Sequence, residues 1–587
     1  QSQRRDDFVT KLISQIDVLI LDEIHLGSID DHVNYSLWKY GYERGYSVPK
    51  LVLSSATPDD MAYNTPIKYH IPTKNYPVRV NYHERNYRLA DRQLMPDLIE
   101  TIFAFHRSEL KGDFLVFVAG KSEINQIISK LTPLLTTNEK KAILLPAHGD
   151  LSSQDFKEIY RQPNISRETG QLMEDAPRKI IVSTNIAETS ITVEGVVLVI
   201  DSMQEKRSET SATGGFRLAL HHISKSSAIQ RQGRTGRTGP GMVYRMCTEE
   251  FFINLENSRP EEIFRVPIYN TVMELMEVGL DPSEILVNIG QSSITQAIKL
   301  LIQLNLVTES GDVTEAGHFV THFPLNIRNA TVLWLWIQEK LPLYAGVVII
   351  SLLDSYGPPY FWYPPQTLGQ TNHEYNQMIL NHKDEYFYQF IGYSDVHTIM
   401  NIWNSMTDYF GGPVHNPRKI ATWTKHNSIN NRKLQEAIRI IKQVTNALTR
   451  LGHKVKMGKL TTNGVINALR PLAEIVYQDL IMTQSGSQAN YYHPKSKNMY
   501  HLDQRQNVNE LTTELPSRII PFALAEISRG GHTNRIINLA LDLNKIEVGE
   551  SLNTEEEMHL NRALSVLKDI RPFNLPERIP IRSPNYQ

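Results

Sequence analysis

Between Lys179 and Arg237, apolar and polar positions come in blocks. Ile180, Ile181 and Val182 form one short apolar run, a polar loop follows, and Val196 to Ile200 form a second, β-branched run. Short apolar runs bounded by turn residues predict strands covered on both faces, as in the parallel sheet of an α/β domain. Ile16 to Leu21 ("IDVLIL") and Leu51 to Leu53 read the same way, and Gly112 to Ile124 ("GDFLVFVAGKSEI") reads as strand, loop and helix start. Lys206 to His222 reads as two strands of a hairpin around Gly214-Gly215. Beyond about Phe251 the period lengthens to that of a helix, most clearly in "LQEAIRIIKQVTNALTRL". The longest apolar run, around Tyr344 to Leu353, is too short to span a bilayer and predicts a core helix. From about Gly452 the pattern turns to short strands and turns, and the tail from Arg571, with Pro572, Pro576, Pro580 and Pro584, is expected to run extended along the surface.

A chain of 587 residues implies several domains. Lys and Arg number 61 against 63 Asp and Glu, a formal charge of −2, which excludes a protein that coats nucleic acid by bulk charge but leaves room for a local basic channel. The single cysteine, Cys247, excludes an internal disulfide and a cysteine-based zinc site, and fits a reducing compartment. No signal peptide is visible. Twenty histidines lack paired metal-ligand spacing, so no histidine-held metal site is expected.

Two patches carry candidate chemistry. Asp22 to His25 ("DEIH") puts adjacent carboxylates at the end of a predicted parallel strand, where α/β folds bind ligands. One carboxylate can hold Mg²⁺ while the other polarises an attacking water; an acidic helix start is the plainer alternative. In "QRQGRTGR", Arg231, Arg234 and Arg237 surround Gly233 and Gly236. Guanidinium forks bind oxyanions bidentately, so this cluster suits a phosphate; a solvated basic turn is the alternative. Ser54 to Pro58, after a strand, can relay hydrogen bonds from a nucleotide site or serve as an ordinary capped loop. Gly120-Lys121-Ser122 is not a P-loop, because Leu115, inside an apolar strand, occupies the place of the required upstream glycine.

"DEIH", "SSAT", "STNIAETSITVEGVVLVID" and "QRQGRTGR" occur in the order and style of superfamily-2 helicases. The chain resembles their DEAH-box/RNA helicase A branch, viral DExH relatives included. The resemblance is closest over Lys179–Arg237, good over Asp22–Thr57, and looser but continuous almost to the C-terminus. It implies a multidomain α/β protein with two RecA-like domains around a nucleotide cleft, then winged-helix, helical ratchet and OB-like β modules. The expected boundaries are 1–75 for the C-terminal part of the first RecA-like domain, 76–250 for the second, 251–325 for the winged helix, 326–451 for the ratchet bundle, and 452–587 for the OB-like domain and tail. The implied activity is ATP-dependent translocation on single-stranded or partly duplex nucleic acid, RNA favoured, with duplex unwinding, using ATP or another NTP and Mg²⁺. An intracellular location in cytoplasm or nucleus, or a virion for a viral source, goes with it, as does an activating protein partner at the OB-like domain, without a membrane.

Residue by residue, the resemblance makes Asp22, Glu23 and His25 the acidic catalytic motif, with Asp22 and Glu23 meeting the nucleotide's Mg²⁺. Gln230 is its γ-phosphate sensor, and Arg234 and Arg237 are its arginine fingers. Ser55, Ala56 and Thr57 are its coupling motif. Tyr160 stands where an aromatic stacks on the base, with a half-buried helix residue as the alternative. Ser190, Thr192 and Glu194 lie near phosphates and ribose; many relatives carry Asp in place of Glu194. Ser183, Thr184 and Asn185 are backbone contacts to nucleic acid, as are Gly120, Lys121 and Ser122 unless these only open a helix. The hairpin is a strand-separating wedge or an ordinary edge hairpin. Ser310 to Asp312 is a hairpin turn of the winged helix, and Thr314 to Phe323 its wing and exit. Asn427, Asn430 and Arg432 line the channel or cap a helix; Ser394 and His397 are capping or core positions. Tyr491 to Tyr500 resembles the family's "HP-x-S" element, whose aromatics, His493 and lysines suit base stacking and phosphate contact.

No GxxxxGK[ST] motif occurs in the sequence, and the chain starts at Gln1. A RecA-like domain needs on the order of 150 residues, so the expectation is a C-terminal portion of a longer helicase, inactive alone. The alternative is a non-hydrolysing nucleic-acid-binding paralogue that lost its P-loop.

Overall fold

The computed structural model describes residues 15–55, 67, 69, 71, 76–136, 142–149, 153–160, 177–189, 193–210, 216–286, 289–354, 360–362, 372–392, 394–413, 416–456, 458, 460–486, 490–502, 516–529 and 532–543. The chain divides into one unit of residues 1–300, 363–386 and 524–536, and a second of 301–362, 387–523 and 537–587.

In the first unit, β1 (Val18–Leu21), α1 (Ile29–Glu43) and β2 (Lys50–Leu53) form a parallel two-stranded sheet with one helix on it. Leu19, Leu21, Leu51 and Leu53 pack with Tyr35 of α1 around Ile24. The alternate positions Val18, Ile20 and Val52 are exposed. The chain continues through β3 (Val78–Tyr82), α2 (Leu94–Arg107), β4 (Asp113–Phe117), α3 (Lys121–Thr136), β5 (Ala142–Ala147), α4 (Ser153–Tyr160), β6 (Arg178–Ser183), α5 (Ile186–Thr189), β7 (Val196–Asp201), β8 (Gln204–Thr210), β9 (Phe216–His222), α6 (Lys225–Gln232) and β10 (Gly241–Arg245). Six of these strands form a parallel sheet in the order β3-β10-β7-β4-β6-β5.

Strand alternation decides which helix covers which face. Phe114, Val116, Ile180, Val182, Leu198 and Ile200 meet Leu98 and Ile102 of α2 and Ile124, Ile127 and Leu131 of α3. Leu115, Phe117, Ile181 and Val199 point the other way, onto Ile159 of α4 and Ala187 of α5. Both faces are thus filled, which is why these strands read as unbroken apolar runs. The loops after β4, β6 and β7 all leave from the carboxyl edge, where open α/β sheets bind ligands. The hairpin is present, with β8 and β9 antiparallel from Gln204↔His222 to Thr210↔Phe216; its Gly214-Gly215 tip lies outside the described residues. The other side of β9 pairs in parallel with Ile527 and Ser528, so the hairpin is built into a sheet.

The second unit is mainly helical. The predicted core helix spans Leu343–Asp354, and the amphipathic segment spans Asn431–Arg450. The turn at Thr308 to Asp312 forms, with Gly311 at φ 88° and Val307 bridged to Val313. The expected wing does not follow it directly: Glu315–Val320 is a helix, because the Thr314 side chain accepts the Gly317 N–H and starts one. Ser394 caps Asp395–Phe410, and His397 is buried behind it. A second correction concerns Tyr491 to Tyr500. Tyr491, His493 and Tyr500 are buried, which takes them out of any stacking surface. They sit at inward positions of the strands Asn490–His493 and Asn498–Leu502. The Tyr491 hydroxyl donates to Pro516 O at 2.8 Å, and His493 Nδ1 lies 2.8 Å from Ser496 Oγ. Lys495 and Lys497 remain exposed.

This unit buries an ionisable pair. Asp354 Oδ1 accepts from Asn326 N at 2.9 Å and Asn329 Nδ2 at 2.9 Å. Burial pushes its carboxyl up to about 6, against those hydrogen bonds and Lys433. Burial likewise pushes the Lys433 ammonium down to about 8, partly offset by Asp354. A carboxyl raised on folding loses stability as pH rises from its unfolded value of 3.8 to about 6. An ammonium lowered on folding regains stability as pH rises from about 8 to 10.5. Thermal melts should therefore show wild type falling relative to Asp354→Asn across the acid window, and the alkaline gain vanishing in Lys433→Met. Parallel curves for all three proteins would refute this.

Candidate nucleotide and nucleic-acid site

Beyond β1 the chain turns sharply. Asp22 is exposed, and its Oδ1 accepts the Glu23 N–H at 3.0 Å. Glu23 has φ 52° and ψ 34°, a left-handed conformation that costs a side-chain-bearing residue energy. Ile24 to Leu26 then form one 3₁₀ turn closed by Gly27, also left-handed. Buried Ile24 fixes the turn; its N–H donates to Ser54 O at 3.1 Å, and the Ser54 N–H donates to Leu21 O at 2.9 Å. The acidic motif and the serine loop are thereby stitched together. The acidic helix start does exist nearby, but Asp30 and Asp31 fill it, on α1 behind its Ser28 cap. Asp22 and Glu23 stand outside it.

His25 joins several motifs. Its Nδ1 lies 3.3 Å from Ser55 Oγ and its Nε2 3.4 Å from Glu23 Oε2. Burial holds its pKa below the ordinary imidazole value, opposed by Glu23 and by the Gln230 carboxamide, with Arg259 adding to the depression. A neutral imidazole thus lies among Ser55, Glu23 and half-buried Gln230.

The arginines divide by depth. Arg231 is fully buried: its Nε donates to Glu188 at 3.0 Å and its Nη1 to Asp201 at 2.8 Å, and the guanidinium lies over the Phe117 ring. It is a core ion cluster, which corrects its sequence-based grouping with the phosphate-binding arginines. Arg234 is half-buried and donates to the Glu188 carbonyl. Burial, then nearby Arg237, press its pKa down while Glu188 and Glu23 oppose them. Arg237 is exposed, with its Nε donating to Gly233 O at 2.9 Å. Gly236 between them has φ 75°, and a Cβ there would meet Val78 Cγ2 at 2.5 Å, so the tight turn needs glycine.

Glu23, His25, Ser55, Gln230 and Arg234 are therefore brought together, with Arg237 close to Arg234. Tyr160 ends α4 half exposed, and Glu194 is exposed just before β7. Ala56, Thr57, Ser190 and Thr192 lie outside the described residues. Ser183 is fully buried and donates to Thr184 O, so its hydroxyl shapes the loop, while Thr184 is half-buried and Asn185 exposed. Gly120 is buried before α3, with the Lys206 ammonium at the place a Cβ would take; Lys121 is exposed. Asn427 and Arg432 belong to the second unit. Asn427 ends the helix Pro417–His426, Asn430 caps Asn431–Arg450, and Arg432 is exposed. Capping thus accounts for Asn430. Sequence reasoning missed Glu188; its signal was a lone carboxylate in "NIAET", within the polar loop between the two apolar runs.

Asp22 and Glu23 offer hard oxygen donors suited to Mg²⁺. Among the described residues no group of three or more His, Cys, Asp or Glu could hold a metal ion. Among the same residues no helix is long and apolar enough to cross a membrane.

Residues 94–239 match the helicase conserved C-terminal domain. The chain is 29% identical over 356 residues to the ATP-dependent RNA helicase HrpA of Borreliella burgdorferi, covering 59% of this chain and 41% of HrpA. It is 28% identical over 386 residues to the pre-mRNA-splicing factor ATP-dependent RNA helicase prp22 of Schizosaccharomyces pombe, covering 62% of this chain and 31% of prp22. The chain thus spans less than half the length of these relatives. Two crystal structures of Escherichia coli HrpB, titled a DExH-box NTPase and a DEAH/RHA helicase, share its fold with TM-scores of 0.61 and 0.62 at 18% and 19% identity. They cover 95% and 93% of this chain, which in turn covers 57% and 59% of theirs. Residues 94–239 therefore form a helicase conserved C-terminal domain, and the chain is similar in sequence to ATP-dependent RNA helicases over about three fifths of its length.

Proposed function

We propose that the whole protein is an ATP-dependent RNA helicase in which nucleotide hydrolysis drives translocation on a single strand and duplex unwinding. The observation that carries this reading is the convergence of Glu23, His25, Gln230 and Arg234 from two distant stretches of sequence. A purely binding paralogue has no physical use for a carboxylate, a carboxamide and paired guanidinium groups aimed at one place. Glu23 polarises the attacking water, Asp22 meets the Mg²⁺ carried by the nucleotide, Gln230 senses the γ-phosphate, and Arg234 and Arg237 neutralise its developing charge. Tyr160 stacks on the base without reading its edge, so nucleobase selectivity is weak. Ser190, Thr192 and Glu194 meet phosphates and ribose, and the loop of Ser55, Ala56 and Thr57 couples the cleft to the strand. Thr184, Asn185, Gly120 and Lys121 hold the phosphate backbone, with Asn427 and Arg432 further along the strand. Domain boundaries at 75, 250, 325 and 451 separate RecA-like, winged-helix, ratchet and OB-like parts, and the last receives an activating protein. An intracellular location follows from an RNA substrate.

The exposed Val18, Ile20 and Val52 support one further element of this reading. Parallel sheets are covered on both faces. More strands and helices of the complete protein cover this face and carry the triphosphate cradle that the sequence lacks. The 587-residue chain should therefore bind single-stranded RNA but hydrolyse ATP negligibly, with or without RNA. Its affinity should fall steeply with salt and vary little with sequence, because backbone contacts dominate. RNA-stimulated hydrolysis by the isolated chain would refute the cradle proposal; a salt-independent, sequence-specific footprint would refute the binding mode.

A further inference from the structure

Glu188 makes three connections with three different atoms. Its backbone N–H donates to Asn185 O at 2.9 Å, holding the short turn that begins at the strand-facing loop. Its carboxylate accepts Arg231 Nε at 3.0 Å, and its carbonyl accepts from Arg234. Arg231 is in turn fixed from the opposite side by Asp201, whose Oδ1 also accepts the Met203 N–H at 2.8 Å. Arg231, Glu188 and Asp201 are all buried, at 0%, 3% and 2% exposure. A buried guanidinium tolerates little misplacement of its counter-charges, since losing one leaves an uncompensated ion. The Arg234 N–H donates to Arg231 O at 3.1 Å, so moving Arg231 moves the backbone that carries Arg234.

We propose that Glu188 is a positioning residue that transmits the state of the Thr184–Asn185 loop to the Arg234 guanidinium. This rests on the helicase reading above. The link is a chain of contiguous bonds: loop carbonyl, Glu188 backbone, Arg234 side chain, with the Glu188 carboxylate and Arg231 as the brace. Strand binding that shifts Asn185 shifts the Glu188 carbonyl, and with it the direction of Arg234. Glu188 itself touches neither phosphate nor strand.

The test uses the full-length protein. Glu188→Gln keeps the shape but removes the charge that balances Arg231, and should lower RNA-stimulated kcat by about tenfold or more, a part of the ~10³-fold that a transition-state arginine contributes. The Kd for single-stranded RNA should stay within about threefold, and Glu188→Asp should recover part of kcat. Arg234→Ala should lower kcat further, and adding Glu188→Gln to Arg234→Ala should cost nothing more, because residues acting through one group are non-additive. Losses that multiply in the double variant, or RNA affinity falling in step with kcat, would overturn the proposal. Should Glu188→Gln not fold, Glu188→Asp carries the same cycle with a smaller expected loss. A wild-type protein without RNA-stimulated hydrolysis would instead overturn the helicase reading.

Discussion

Glu23→Gln should lower kcat for NTP hydrolysis in the complete protein by roughly 10² to 10⁴-fold, the usual contribution of a positioned general base. Glutamine has the shape of glutamate but cannot take a proton from water. RNA affinity should not change if, as proposed, the strand is held by Thr184, Asn185, Gly120 and Lys121 rather than by Glu23. The same residue predicts a trade between stability and activity. Its left-handed backbone stores about 1–3 kcal/mol of strain, held in place by buried Ile24 and the Ser54 stitch. Glu23→Gly relieves that strain and should melt higher than wild type while hydrolysing no NTP. Steady-state ATPase and thermal melts read both outcomes; unchanged turnover in Glu23→Gln would sink the catalytic assignment.

Much of this arrangement was legible in the sequence, for identifiable reasons. The runs at Ile180–Val182 and Val196–Ile200 named their strands because a doubly covered parallel strand has no polar face to interrupt it. Asp22 and Glu23 could be placed because a strand of known direction ends just before them. The division among the arginines was not legible. Arg231 and Arg234 lie three positions apart, yet one is fully buried in the core and the other only half-buried. What separates them is a pair of carboxylates 43 and 30 residues away, a tertiary fact no local pattern carries. The misreading at Tyr491 and His493 was different in kind. These residues are two apart on a strand, so they share a face, and that face is inward. The strand period at Tyr491 and His493 carries that placement, whereas an aromatic and basic composition does not tell an inward face from an outward one. Thr314 likewise announced a helix by its cap followed by Glu315. The Asp354–Lys433 pair lay beyond sequence reasoning, since it joins helices far apart in the chain.

Arg237→Ala should lower kcat by about 10³-fold or more, as loss of an arginine finger does, with no change in melting temperature. Its side chain is exposed, and its Nε donates to Gly233 O only four residues back, so the core does not rest on it. Arg231→Ala provides the opposite case from six residues away. Removing a buried partner leaves Glu188 and Asp201 without their cation, which costs about 3–5 kcal/mol of stability. Its hydrolysis should fail because the protein unfolds at lower temperature. Arg237→Lys should recover little, since an ammonium keeps the charge but loses the planar fork that spans two phosphate oxygens. This contrast separates a charge that serves the reaction from one that serves the core. Equal melting-temperature losses in Arg231→Ala and Arg237→Ala would show that the division by depth is wrong. A fully active Arg237→Ala would remove it from the site altogether. The expected split, turnover lost at Arg237 and stability lost at Arg231, requires one short motif to be read in three dimensions, because the glycine turn at Gly236 lets the last arginine leave the core that holds the first.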